Sequence, residues 1–167
     1  MTKLRITAAV AVLTAAVVLV GTAAAAAGTA GATKKVVPFL ATYKGTATVK
    51  ITDNIGAINA TGTGTGVPVG AGSITGIGSA DTSKQPCVPF TGTGAIKGKT
   101  AGITFKVVPG SSACGDEKGE IFSITGHATV IKGTGKLLRA KGTLKFTGTF
   151  DHTSGAFSVK FFGTLTV

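Results

Sequence analysis

Residues 143–150 read TLKFTGTF. Leu144, Phe146 and Phe150 occupy even positions; Thr143, Lys145, Thr147 and Thr149 occupy odd ones. Successive side chains of a strand point to opposite faces, so the segment predicts a strand with one apolar and one hydroxylated face. A helix would scatter the same residues around its circumference.

The two-residue rhythm recurs on both sides of this stretch. Within 120–132, Phe122, Ile124, Ala128 and Val130 share one face, and Ser123, Thr125, His127 and Thr129 share the other, joined at its ends by Ile121 and Ile131. Within 156–167, Phe157, Val159, Phe161, Leu165 and Val167 oppose Ser158, Lys160, Thr164 and Thr166, and only Phe162 breaks the pattern. Ile103, Phe105 and Val107 form a shorter example. Turn signals rich in Gly, Asp, Asn and Pro separate these runs at 53–54, 81–86, 99–102, 109–119, 133–135 and 151–155. The expected strands therefore lie near 37–51, 56–66, 71–79, 87–97, 102–108, 119–132, 140–150 and 155–167. That spacing suits an antiparallel meander closed as a barrel, or a sandwich. A barrel leaves no open edge, and at eight strands its interior is filled by side chains or holds one small ligand.

Gly-Thr repeats fit the same picture. In GTGTG, 62–66, the threonines share one face and the glycines leave the other bare. Bare backbone lets a strand bend sharply or lie against a bulky neighbour. Phenylalanines on adjacent strands are the expected cover, for instance a Phe across from Gly148.

A second reading of the glycines is a phosphate cradle, because 92–100 reads GTGAIKGKT. The P-loop pattern needs a glycine five residues before the Gly-Lys-Thr, and that position is Thr93. The following ITFKV, 103–107, reads as a strand. The cradle needs a helix there, whose N-terminal N–H groups hold the phosphate. Nucleotide binding is not expected, and no cofactor is implied.

The N-terminus has the form of a secretory signal. Lys3 and Arg5 precede an apolar run, 6–20, and small residues follow through 32, with Ala25-Ala26-Ala27 as the preferred cleavage site. The competing reading is a retained anchor helix, since 6–27 is just long enough to span a bilayer; its alanine content favours cleavage. Residues 28–167 suffice to bury a core without metals. Two cysteines, Cys87 and Cys114, then lie in the exported part. An even count in an oxidising compartment predicts one disulfide, worth about 3–4 kcal/mol on chain-entropy grounds. No C-x-x-C spacing points to redox chemistry, and two cysteines with two distant histidines make a poor zinc site.

The formal net charge is +11. Export removes nucleic acid as an expected partner, and no membrane partner is expected after cleavage. The lysines stand mostly alone between threonines, as outward strand positions would, which reads as a solvated face that blunts edges and maintains solubility. The sharper alternative is attraction to anionic cell-envelope polymers.

Catalytic constellations are hard to assemble. His127 falls on a polar strand face and His152 in a turn, no G-x-S-x-G elbow is present, and Asp116, Glu117 and Glu120 read as an exposed loop near Cys114.

Residues 133–165, GTGKLLRAKGTLKFTGTFDHTSGAFSVKFFGTL, carry a resemblance. Gly133, Thr134, Gly135, Lys136, Ala140 and Gly142 match a Gly-Thr-Gly-(Arg/Lys)-Phe-x-Gly-Ala-x-Gly turn, and Gly148, Thr149, Asp151, Gly155 and Phe157 match the hairpin after it. This resembles the small secreted bacterial proteins that look like allene oxide cyclase and dirigent barrels. Leu137 replaces the aromatic, and Arg139 stands where a turn glycine is usual. The resemblance implies an eight-stranded antiparallel barrel with a central apolar cavity; it transfers no catalytic residue.

Together these readings predict an all-β chain. They place a signal peptide at 1–27, a flexible mature N-terminus at 28–35 and a calycin-like eight-stranded antiparallel barrel at 36–167. The expected function is a secreted, non-catalytic barrel that binds a small apolar ligand or an envelope component. Phe105, Phe146, Phe157 and Phe161 are the candidate lining residues, although plain core packing is the simpler account of them. An isomerase or cyclase acting by confinement is the alternative. It needs polar groups inside, for which His127 and Tyr43 are the candidates.

Overall fold

The computed structural model describes residues 34–167. The signal-peptide reading and most of the flexible-terminus reading fall outside them. The described chain is all β: β1 (Val36–Thr52), β2 (Ile55–Val67), β3 (Gly70–Asp81), β4 (Cys87–Gly98), β5 (Ala101–Val107), β6 (Ser112–Gly115), β7 (Ile121–Gly135), β8 (Gly142–Asp151) and β9 (Ala156–Thr166). Every pairing is antiparallel, and the sheet order β3-β2-β1-β9-β8-β7-β5-β4 closes through a β3–β4 pairing. The result is the expected eight-position barrel.

The ninth strand is the departure. Residues 109–119 read as one long turn, but β6 lies within them, pairing with the start of β4 and with β7. β5 pairs with the later parts of those same two strands. β5 and β6 are therefore one stave of the barrel, interrupted at 108–111. Four residues, preceded by Pro109 and Gly110 and ending in Gly115, give too short an alternation to be legible.

Local chemistry explains the hairpins. Asp53 and Asn54 both adopt positive φ, 49° and 63°, between the paired Thr52 and Ile55. Two such residues in a two-residue loop form the turn whose twist matches the strands. Arg139 takes φ 66°, so it adopts the left-handed conformation that a turn glycine would supply at that place.

Alternation holds around the wall. β1 buries Phe39, Ala41 and Tyr43 and exposes Leu40, Thr42 and Lys44. Phe162, the break in the last strand's pattern, points outward and pairs with the exposed Leu40 on β1. The inner face is divided by residue size. On β2, β3 and β4 it is rich in glycine, and Gly64↔Gly72, Gly72↔Gly98, Gly76↔Gly94 and Gly78↔Gly92 lie directly opposite one another. On β5 and on β7 to β9 it carries most of the phenylalanines.

Aromatic rings do lie over glycines, with partners set by register. Tyr43 is across from Gly64, Phe105 from Gly94 and Phe146 from Gly126. A Cβ on Gly94 would lie 2.4 Å from Cζ of Phe105, and one on Gly126 would lie 2.6 Å from Cζ of Phe146. Gly148, by contrast, faces Val159 and Ile124, not a phenylalanine.

Candidate functional site

The two ends of the barrel are built differently. At the end where β1 begins, the bore is packed solid. Phe39, Tyr43, Val69, Ile96, Leu137, Leu144 and Leu165 are all fully buried there. Leu137, from the 136–140 segment between β7 and β8, closes this end as a plug. Burying each such side chain contributes about 1.5–3 kcal/mol, so this half supplies much of the fold's stability.

At the other end the inward side chains do not meet. Val49, Ile58, Phe90, Phe122, Ile124, Phe150 and Phe157 point into the bore by strand parity, yet each stays only partly buried. They surround a cavity of about 260 Å³. Its floor is a cluster of rings. Phe105 and Phe146 stand 5.2 Å and 5.5 Å from Phe161, and Phe90 stands 6.1 Å from Phe146. These separations lie in the range of favourable tilted aromatic contacts. Phe157 and Val159 complete the wall from β9.

All four phenylalanines singled out from the sequence, Phe105, Phe146, Phe157 and Phe161, line this cavity. The two polar candidates do not. His127 is exposed on the outer face of β7 because odd positions of that strand point outward, so it is corrected from lining residue to surface residue. Tyr43 points inward but is fully buried in the packed half, and its hydroxyl has no hydrogen-bond partner among the described residues. Burial pushes its phenol above the ordinary pKa of 10.0.

The mouth contributes the polar groups. Thr82, Gln85 and His152 border the opening, and among the described residues no Asp, Glu, Lys or Arg lines the cavity. His152 is held by its backbone N–H, which donates to Glu120 O at 2.8 Å, and its ring stands 6.3 Å from those of Phe122 and Phe150. Sequence reading placed His152 in a turn, where it is. Its approach to the two rings depends on β7–β8 register: Phe122 pairs with Phe150. Phe122 and Phe150 were legible as apolar-face residues; their place at the mouth was not.

Cys87 and Cys114 face each other across the β4–β6 pair and form a disulfide, with Cα atoms 3.9 Å apart. Their neighbours Val88 and Ala113 line the cavity, so the bridge fixes the short half of the broken stave at the mouth. The hydroxyl and backbone N–H of Ser83 hydrogen-bond to the Asp81 carboxylate and hold it below the ordinary range. Asp151 is lowered likewise, first by the backbone N–H of Ser154 and also by that of Thr153. Both therefore stay anionic beside the opening at neutral pH.

The GTGAIKGKT stretch, 92–100, is the end of β4 and a tight turn, with strand β5 after it. Among the described residues no three His, Cys, Asp or Glu side chains gather as a metal site. In comparisons with known proteins, no family model, curated protein or solved structure matches the chain.

Proposed function

We propose that this is an exported, non-catalytic barrel protein that binds one small, uncharged apolar ligand in its open half. The asymmetry of the bore carries this reading. A barrel selected for stability alone would fill both halves, because unfilled apolar volume forfeits contacts. Here half the bore is packed, and the other half leaves seven apolar side chains facing a cavity. An apolar cavity of about 150 Å³ already admits benzene, so this one suits a ring system or short hydrocarbon chain. The disulfide and the apolar N-terminal stretch support export. The confinement-catalysis alternative, an isomerase or cyclase, ranks second. Its lining offers no carboxylate, and the lone imidazole sits at the mouth.

The test uses 1-aminoanthracene, an uncharged fluorescent aromatic. The wild-type chain should bind it saturably at one site, with a blue-shifted emission. Gly76→Leu should abolish this binding while the chain stays folded. Gly76 lines the cavity, and a Cβ there meets nothing nearer than 3.7 Å. Absence of saturable binding, or binding indifferent to the filled cavity, would overturn the reading.

A further inference from the structure

The closed end carries a charge pattern that strand alternation does not explain. Lys34 and Lys35 precede β1, Lys99 lies in the β4–β5 turn, and Lys136, Arg139 and Lys141 lie between β7 and β8. All six are exposed. Backbone hydrogen bonds tie these segments into one face. Lys99 N–H donates to Ala71 O at 3.1 Å, Lys136 N–H to Thr100 O at 3.4 Å, Lys141 N–H to Thr166 O at 2.9 Å and Lys35 N–H to Val167 O at 3.1 Å. The six Asp and Glu side chains are all at the opposite end. Asp53, Asp81, Asp116, Glu117, Glu120 and Asp151 sit in or beside the loops around the cavity mouth. The lysines looked scattered in sequence because the loops of one barrel end are drawn from distant parts of the chain.

Solubility needs net charge, not its segregation, and like charges on one face repel. Apolar side chains stand among these cations. Leu138 is 64% exposed between Lys136 and Arg139, while its neighbour Leu137 is the buried plug. Val36 and Val67, 63% and 60% exposed, lie at the same end of the barrel. A soluble anionic polymer would engage the cations but would gain nothing from Leu138. A bilayer surface takes both, with cations on headgroup phosphates and an aliphatic tip among the upper acyl carbons.

We propose that the closed end is a docking face for an anionic lipid bilayer surface, with Leu138 inserted and the cavity mouth directed away from the membrane. The carboxylates around the mouth enforce this orientation by repulsion. The contact is peripheral and differs from the expectation of no membrane partner after cleavage. It stands independently of what the cavity binds.

The test is co-sedimentation of the full chain with phosphatidylcholine vesicles, with and without phosphatidylglycerol, across a salt series. Partition should require the anionic lipid and weaken as salt rises. The combined variant Lys136→Gln, Arg139→Asn, Lys141→Gln should lose about fivefold in partition per charge. Lys50→Gln, Lys84→Gln, Lys118→Gln removes the same net charge from the open end and should bind as wild type. Leu138→Gln should weaken binding at constant charge. Equal losses in the two charge variants would overturn the proposal. Full binding by Leu138→Gln would also overturn it and would assign the face to a soluble anionic polymer. Binding indifferent to salt and to every substitution would place the contact in the apolar N-terminal stretch and likewise overturn it.

Discussion

The Ser111 hydroxyl stands in for a missing strand. Its Oγ accepts the backbone N–H of His127 at 3.2 Å and donates to Val108 O at 2.8 Å. β5 stops at Val107 and β6 resumes at Ser112, whereas the facing β7 runs on without a break. Val108 N–H still reaches His127 O at 2.9 Å, but the His127 N–H has no strand carbonyl opposite it. Ser111 supplies the acceptor, and its side chain fits because residue 126 is glycine. A Cβ there would lie 2.3 Å from Ser111 Oγ. Ser111 is 1% exposed, so water cannot take over this role.

Ser111→Ala should therefore cost about 1–3 kcal/mol, the penalty of leaving a buried donor unpaired. Denaturant unfolding measures the loss, and amide exchange at His127 should accelerate. A change within about 0.5 kcal/mol, the scatter of ordinary surface substitutions, would show that the break is patched in some other way.

Two inner-face glycines should respond differently to alanine. At Gly64 a Cβ would lie 2.0 Å from Thr42 O and 2.7 Å from both Cα and Cδ1 of Tyr43, so backbone would have to move. Gly64→Ala should destabilise by about 1–3 kcal/mol or more. At Gly76 the nearest atoms would be 3.7 Å and 4.0 Å away, and the side chain would project into the cavity. Gly76→Ala should be neutral or stabilising by about 0.4–1 kcal/mol, because it restricts the unfolded chain at no cost to the fold. Thermal melts should thus fall for Gly64→Ala and not for Gly76→Ala; equal losses would contradict the division of the bore.

The contrast between those two glycines shows what the sequence could reveal and what it could not. Period-two alternation is local, so the strands, the inner face and the lining phenylalanines were legible from single segments such as 143–150. The parity of β7 had already placed His127 outside, and proposing it as a lining residue went against that parity. Which glycine lies under which ring depends on register between strands, and Gly148 faces Val159 where a phenylalanine was expected. Whether the bore is filled depends on side-chain volumes summed across eight staves. Segregation of the carboxylates at the mouth depends on closure, which brings Asp53 and Asp151 to the same end.

Tyr43 offers an internal reporter for the packed half, since the chain holds one tyrosine and no tryptophan. Its phenol is fully buried with no hydrogen-bond partner among the described residues, and burial raises its pKa above 10.0. The sign follows from which state ionises first. The unfolded chain gives up the phenol proton near pH 10, while the folded chain retains it. Stability is therefore fully present below pH 10 and is lost as pH rises from there through the folded-state pKa. Tyrosinate absorbance should appear together with unfolding, not as a separate titration of the native protein. Tyr43→Phe removes both effects. It keeps the ring over Gly64 and deletes an unsatisfied hydroxyl whose burial costs about 1–3 kcal/mol, so the variant should be at least as stable as wild type at neutral pH. This substitution should also remove tyrosine ionisation as a source of alkaline destabilisation. A large loss of stability in Tyr43→Phe would mean that the hydroxyl has a partner in solution. Tyrosinate formation in the still-folded wild type would place the ring in contact with water.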